Sequence, residues 1–260
     1  MKQLSLKAHA AAFFTEFFNN SEYPRYVLGI NEYTDAILKL RALNGIVCPQ
    51  HDQTHYNGTP IVKLHELPPG AMVISVIHNQ EPRSALNSVR QRTGVVCMDY
   101  FAVADGSRSE LPQVQALADT RKEYALRQAK FDWLSAQFKD EESQEVYNRV
   151  MEFRLNGNLR ALNFFDCPPL CDQPWKTKGT IAIGFEPYST PEHTLDTLTG
   201  LRCTIEEEHP PLAIAVHQHP SLFWKVAEWV LNTHNNYSLS IRHHSEGLWG
   251  TVLYFQPIGR

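Results

Sequence analysis

The chain has few of the features that would commit it early to a function. Five cysteines in 260 residues, an odd and scattered set, do not form a disulfide framework. No apolar run approaches the roughly 20 residues that span a bilayer. A net charge of -4 gives no surplus of positive charge for nucleic acid or an anionic membrane surface. The first residues, MKQLSLKAHAAAFFTEFF, lack a small-residue cleavage site. Glu16 and Asn19-Asn20-Ser21 break the apolar pattern, so this stretch reads as an amphipathic helix and not a signal peptide. A soluble, cytoplasmic protein is expected. Glycine is scarce where it would count most. In YVLGINEY a strand leads to a helix through Gly29 alone, with Asn31 and Thr34 where a phosphate-cradling turn would place further glycines. Gly29 is therefore a weak cofactor-binding candidate, and strand-to-helix packing is the simpler reading.

What is present is alternation. Ala10–Phe18 reads as a helix with Phe13, Phe14, Phe17 and Phe18 to one side. Strands are expected at Arg25–Leu28, Ile46–Cys48, Ile61-Val62, Ala71–Ile77 and Val95–Met98. Helices over Glu32–Leu43, which Gly45 should terminate, and Pro82–Arg92 separate them. Strands and helices alternating over short links indicate parallel βαβ units. Residues 1–105 are thus expected to form a small Rossmann-like domain. Leu111–Phe138 and Ser143–Leu155 carry helical spacing and suggest a helical connector over 106–160.

The third region, 161–260, opens on FFDCPPLCDQPWKTK, which has no periodicity. Cys167 and Cys171 have a tolerable zinc spacing, but no second pair lies nearby. His217 and His219 could join them only by folding, so no metal is expected. Gly179–Phe185 reads as a strand, and Pro191–Glu208 as a helix capped by Thr190. Leu212–Val216 is an apolar strand, ended by His217-Gln218-His219-Pro220. A helix with Leu222, Phe223, Val226, Trp229 and Val230 follows. Tyr237–Arg242 and Thr251–Phe255 then read as two strands joined by a loop holding Gly247 and Gly250. Polar residues gather where strands end, which is where open α/β sheets bind ligands. His217, His219, His243 and His244 are the first candidates for chemistry.

The C-terminal stretches LAIAVHQHPSLFWKVAEWVLN and YSLSIRHHSEGLWGTVLYFQP resemble the end of the FkbM-type S-adenosylmethionine-dependent methyltransferases. In that family a strand of the LAISVYH kind precedes YLRHHS-like and TVLYA-like strands. YVLGINEYTDAILKL is similar to the YIFGAGEYG-type turn of the small domain that many members carry. EESQEVYNRVMEFRLNGNL is similar to the helix before their catalytic domain. The resemblance implies an α/β fold in which a partial class I methyltransferase sheet ends in an antiparallel hairpin. Two family segments are altered. The acidic, glycine-rich turn of the FVDCGAYDGDT type is missing: Phe165-Asp166-Cys167 is followed by Pro168-Pro169, and proline neither donates an N–H nor frees φ. GFEPYSTPEH replaces the IDIEGAE-like segment, leaving Glu186 and Glu192 as its acidic candidates. The chain resembles a member lacking the first half of its cofactor-binding domain.

The resemblance implies transfer of a methyl group from S-adenosylmethionine to a hydroxyl of a sugar or other small metabolite. One of His217, His219, His243 or His244 would serve as base, since histidine titrates near neutrality. Arg242 would hold an anionic part of the substrate, and Glu186 would face the cofactor. The alternative is a non-catalytic descendant acting as a binding or assembly module. A half-sheet exposes an edge strand, expected at Gly179–Phe185, and such an edge calls for cover, from the N-terminal sheet or from a second subunit in a homo-oligomer.

Overall fold

A computed structural model describes residues 6–48, 53–79, 81–107, 110–164, 179–185, 190–234 and 236–259. The chain divides into two compact units, residues 1–114 with 157–159, and residues 115–156 with 160–260. In the first, α1 (Leu6–Asn19) precedes β1 (Arg25–Leu28), α2 (Glu32–Leu40), β2 (Gly45–Val47), β3 (His55–Tyr56), β4 (Thr59–Val62), β5 (Met72–Ser75), α3 (Pro82–Arg90), β6 (Val96–Asp99) and α4 (Tyr100–Gly106). The strands lie in the order β3-β4-β2-β1-β5-β6. All pairs are parallel except β3–β4. Val27, Ile46, Val73 and Ile74 are fully buried, as continuous apolar strands in a parallel sheet must be.

A local expectation is corrected. Gly45 does not terminate α2. The helix stops at Leu40, and Gly45 opens β2, where an added Cβ would sit 3.0 Å from the Tyr26 ring. The structure adds a hairpin, β3–β4, whose turn carries the Asn-Gly signal. Asn57 and Gly58 both adopt positive φ, as a two-residue hairpin turn requires.

The phenylalanines of α1 are core, as their spacing suggests. Phe13, Phe14, Phe17 and Phe18 are all buried. Arg25 holds the end of this helix by donating from Nε to the Phe17 carbonyl at 2.6 Å and from Nη2 to the Asn20 carbonyl. Helix α4 meets α1 at Gly106, where a Cβ would fall 2.7 Å from the Ala10 carbonyl carbon and 2.8 Å from the Ala11 nitrogen.

In the second unit, α5 (Gln115–Gln137) and α6 (Glu141–Asn156) precede β7 (Ile181–Ile183), α7 (Pro191–Gly200), α8 (Arg202–Glu208), β8 (Leu212–Ala215), α9 (Ser221–Thr233), β9 (Tyr237–His243) and β10 (Thr251–Pro257). The sheet order is β7-β8-β10-β9, with β7 and β8 parallel and β10 antiparallel to both its neighbours. Among the described residues β7 is an edge strand. The helices read as a connector are packed parts of this unit: α6 lies on β9, and α5 on α6 and α9. The expected helix over 191–208 is two helices, broken at Leu201 (ψ 4°) directly after Gly200, a poor helix former. No described helix is long and apolar enough to cross a membrane.

Gly106→Ala forces backbone apart at the α1–α4 contact. It is expected to lower stability by about 1–3 kcal/mol, read as a lower denaturation midpoint in urea. An unchanged midpoint would show that α1 is not held at this distance.

Candidate functional site

Pairing in the second sheet brings four chain segments to one edge. Strands β7 and β8 run parallel and end at Ile183 and Ala215. Strand β10 begins on the same side, since Val252 pairs with Ala215. Strand β9 finishes there, since His243 pairs with Thr251. Leu212–Val216 is fully buried, so the first polar side chains beyond it fall on the rim. Val216 N–H donates to the Thr251 carbonyl at 3.0 Å, and His244 N–H to the Gly250 carbonyl at 2.9 Å, which closes the rim. His217, His243 and His244 are thereby gathered at one edge, as their places at strand ends suggest.

The histidines do not have the electrostatics of free bases. His243 is 6% exposed, with Nδ1 3.0 Å from Thr251 Oγ1. Burial, then the charge of Arg154, pushes its pKa down to about 3. His217 keeps some surface exposure, but its Nδ1 is shut from solvent without a hydrogen-bond partner, and its ring stacks on Trp249 with centroids 6.1 Å apart. Burial and then Arg154 bring it down to about 4. His244 Nε2 lies 2.8 Å from the Tyr254 hydroxyl, and burial followed by Arg242 lowers it to about 4. The expectation of bases titrating near neutrality is therefore corrected for these three. They are neutral imidazoles at pH 7, suited to giving or accepting hydrogen bonds. His219 plays another part: its Nδ1 accepts from Ser221 N–H at 3.2 Å and lies 2.9 Å from Ser221 Oγ, at the start of α9.

The group that organises this edge is Arg154, near the end of α6. It is 1% exposed. Its Nη2 donates to the Leu248 carbonyl at 2.9 Å and the His217 carbonyl at 3.2 Å, joining the β8 rim to the β9–β10 loop. The guanidinium lies over the Phe223 ring, 5.3 Å from its centroid. Burial pushes its pKa down only to about 10, so it stays charged at pH 7. Its Nη1 has no hydrogen-bond partner among the described residues. The sequence holds a signal for it: an arginine in line with Val150 and Phe153 on the buried face of a helix.

Arg242, expected to hold substrate, is engaged within the unit. Its guanidinium meets Glu142 at 2.7 Å and Asp140 at 3.5 Å, and donates to Ser143 Oγ at 2.8 Å and the Ile241 carbonyl at 2.7 Å. Ser143 Oγ also accepts from Ile241 N–H at 3.1 Å, so the start of α6 is latched to β9.

In the first unit, Gly29 has φ 102°, and an added Cβ would stand 2.7 Å from Ile77 Cδ1. Asn31 Oδ1 accepts from the N–H groups of Tyr33 and Thr34, and the Thr34 hydroxyl donates to the Gly29 carbonyl. The donors that would hold a phosphate already have a side-chain acceptor, and Glu32 and Asp35 add negative charge to that turn. Glu186, Cys167 and Cys171 lie outside the described residues. Among the described residues no three His, Cys, Asp or Glu side chains are placed to hold a metal ion.

No family model matches this chain, and no curated protein matches it significantly. A solved structure does: the methyltransferase FkbM from Methylobacillus flagellatus KT, with a TM-score of 0.61 at 14% identity, covering 95% of this chain and 93% of that chain. The chain has the fold of an FkbM methyltransferase. Gly184, after β7, has φ 79°, and an added Cβ would lie 3.1 Å from the Ala215 carbonyl and 3.3 Å from Thr194 Oγ1 and Gln218 Nε2. The Gln218 amide donates to the Gly184 carbonyl. Packing accounts for this glycine, and no described glycine-rich turn stands beside it to receive a cofactor.

Because His217 and His243 are held neutral in the folded state, the unfolded chain takes up their protons first as pH falls. Their contribution to stability is complete above about pH 6.5. It diminishes below that, down to the folded values of about 4 and 3. The urea midpoint should therefore fall between pH 6.5 and 5, and the fall should be shallower in His243→Asn. An equal slope in that variant would contradict the buried, neutral assignment.

Proposed function

We propose that the protein acts as an S-adenosylmethionine-dependent methyltransferase of the FkbM type, with a hydroxyl of a sugar or other small metabolite as acceptor. The observation that carries this reading is the FkbM methyltransferase fold along 95% of the chain. The rim that holds His217, His243 and His244, with His219 at the start of α9, is the acceptor side in this reading. Neutral imidazoles there would orient a hydroxyl by hydrogen bonding, and His219, half-buried, is the remaining candidate for a base. S-adenosylmethionine would supply the methyl group, with Glu186 on the cofactor side.

A second reading has its own support. Gly184 is filled by packing, Asn31 satisfies the first-unit turn, and three of the four rim histidines are held far below neutrality. These features suit a non-catalytic descendant that retains the fold as a binding or assembly module. In either reading the protein works on small molecules in the cytoplasm and not on nucleic acid. The edge of β7 would be covered by a second copy in a homo-oligomer.

Calorimetric titration with S-adenosylmethionine separates the two readings. The methyltransferase reading expects saturable heat and a thermal upshift below millimolar cofactor. Absence of both at millimolar concentration leaves the binding-module reading standing and removes the enzyme.

A further inference from the structure

We propose that Arg154 and His217 form a binding site for one anionic group, a carboxylate or a phosphate, at the carboxyl edge of the second sheet. A guanidinium out of contact with water normally has a carboxylate or phosphate beside it, because desolvating an unpaired cation is costly. Arg154 is 1% exposed, yet no acidic side chain pairs with it among the described residues. Two carbonyls occupy Nη2, an aromatic face covers one side, and Nη1 is left without an acceptor. The titratable neighbours of Arg154 are imidazoles held neutral, so they add no negative charge. The cluster therefore carries one uncompensated positive charge.

Geometry supplies the rest. His217 is bound through its carbonyl to the same guanidinium, and its Nδ1 is a second buried polar atom with no partner. The N–H of neutral His217 faces the Thr251 backbone, so its remaining ring nitrogen accepts one hydrogen bond while Nη1 donates two, which suits one anionic group that also carries an O–H. His217, Trp249 and Gly250, which border the cluster, are all partly exposed. The edge is also where open α/β sheets bind ligands. As an anchor for an acidic acceptor, this site rests on the methyltransferase reading. As an anion site it stands without it.

The test uses the full chain without cofactor, at pH 7 and an ionic strength fixed with potassium chloride. Thermal midpoints are followed as 0–20 mM acetate or inorganic phosphate replaces chloride. Wild type is expected to gain about 3 °C in a saturable way with at least one of them. Arg154→Met should show no gain, and His217→Phe, which keeps the guanidinium, a reduced one. A response to acetate alone names a carboxylate, and a response to phosphate a phosphorylated ligand. If Arg154→Met does not fold, His217→Phe decides alone. Equal midpoints in all three salts, or an undiminished gain in His217→Phe or Arg154→Met, overturns the proposal. Heat from S-adenosylmethionine in a separate titration bears only on the enzyme reading, so the two can fail independently.

Discussion

The burial of the Arg154 charge shapes the carboxyl edge of the second sheet. Arg154 reaches that edge because α6 is latched at its other end, where Ser143 and Arg242 join the helix to β9. A guanidinium placed so deep demands acceptors, and the carbonyls of His217 and Leu248 provide them. Those two carbonyls belong to different chain segments, so satisfying the charge fixes the β8 rim against the β9–β10 loop. Removing one partner of such an arrangement strands the other, which is why buried networks of this kind specify a single geometry. Burial first, and the same charge second, keep His217 and His243 unprotonated, because a second cation beside the first would be repelled in a medium of low dielectric.

Much of the fold was legible in the sequence. Continuous apolar runs such as Leu212–Val216 announced covered strands, and the spacing of Leu222, Phe223, Val226 and Val230 announced the helix after them. The α1 phenylalanines read correctly as core. Part of what escaped is governed by contacts remote in sequence. Gly45 looks like a helix terminator, but its role is set by the Tyr26 ring of the neighbouring strand. The Asn57-Gly58 hairpin carries a local signal, but its strands are only two and four residues long, too short for alternation to mark them.

The site was legible in position more than in chemistry. Strand ends placed His217, His243 and His244 on one rim, and the pairing of β8, β9 and β10 brings them there. Their protonation was not legible, because it depends on burial and on Arg154, which lies 63 residues before His217. Arg242 shows the converse. Its place in a polar strand end suggested a ligand, and only tertiary structure reveals Glu142, Asp140 and Ser143 around it. Fold likeness at 14% identity carries the architecture; what the rim does with a ligand follows from its own side chains.

Neutral imidazoles beside a buried guanidinium define this edge. Ring nitrogen and carbon chemical shifts of histidine in the folded protein, followed by NMR from pH 7.5 to 5, test that directly. His217 and His243 should keep the shifts of neutral imidazole across this range. Titration of His217 and His243 with midpoints near the ordinary histidine value of about 6.5 would contradict it.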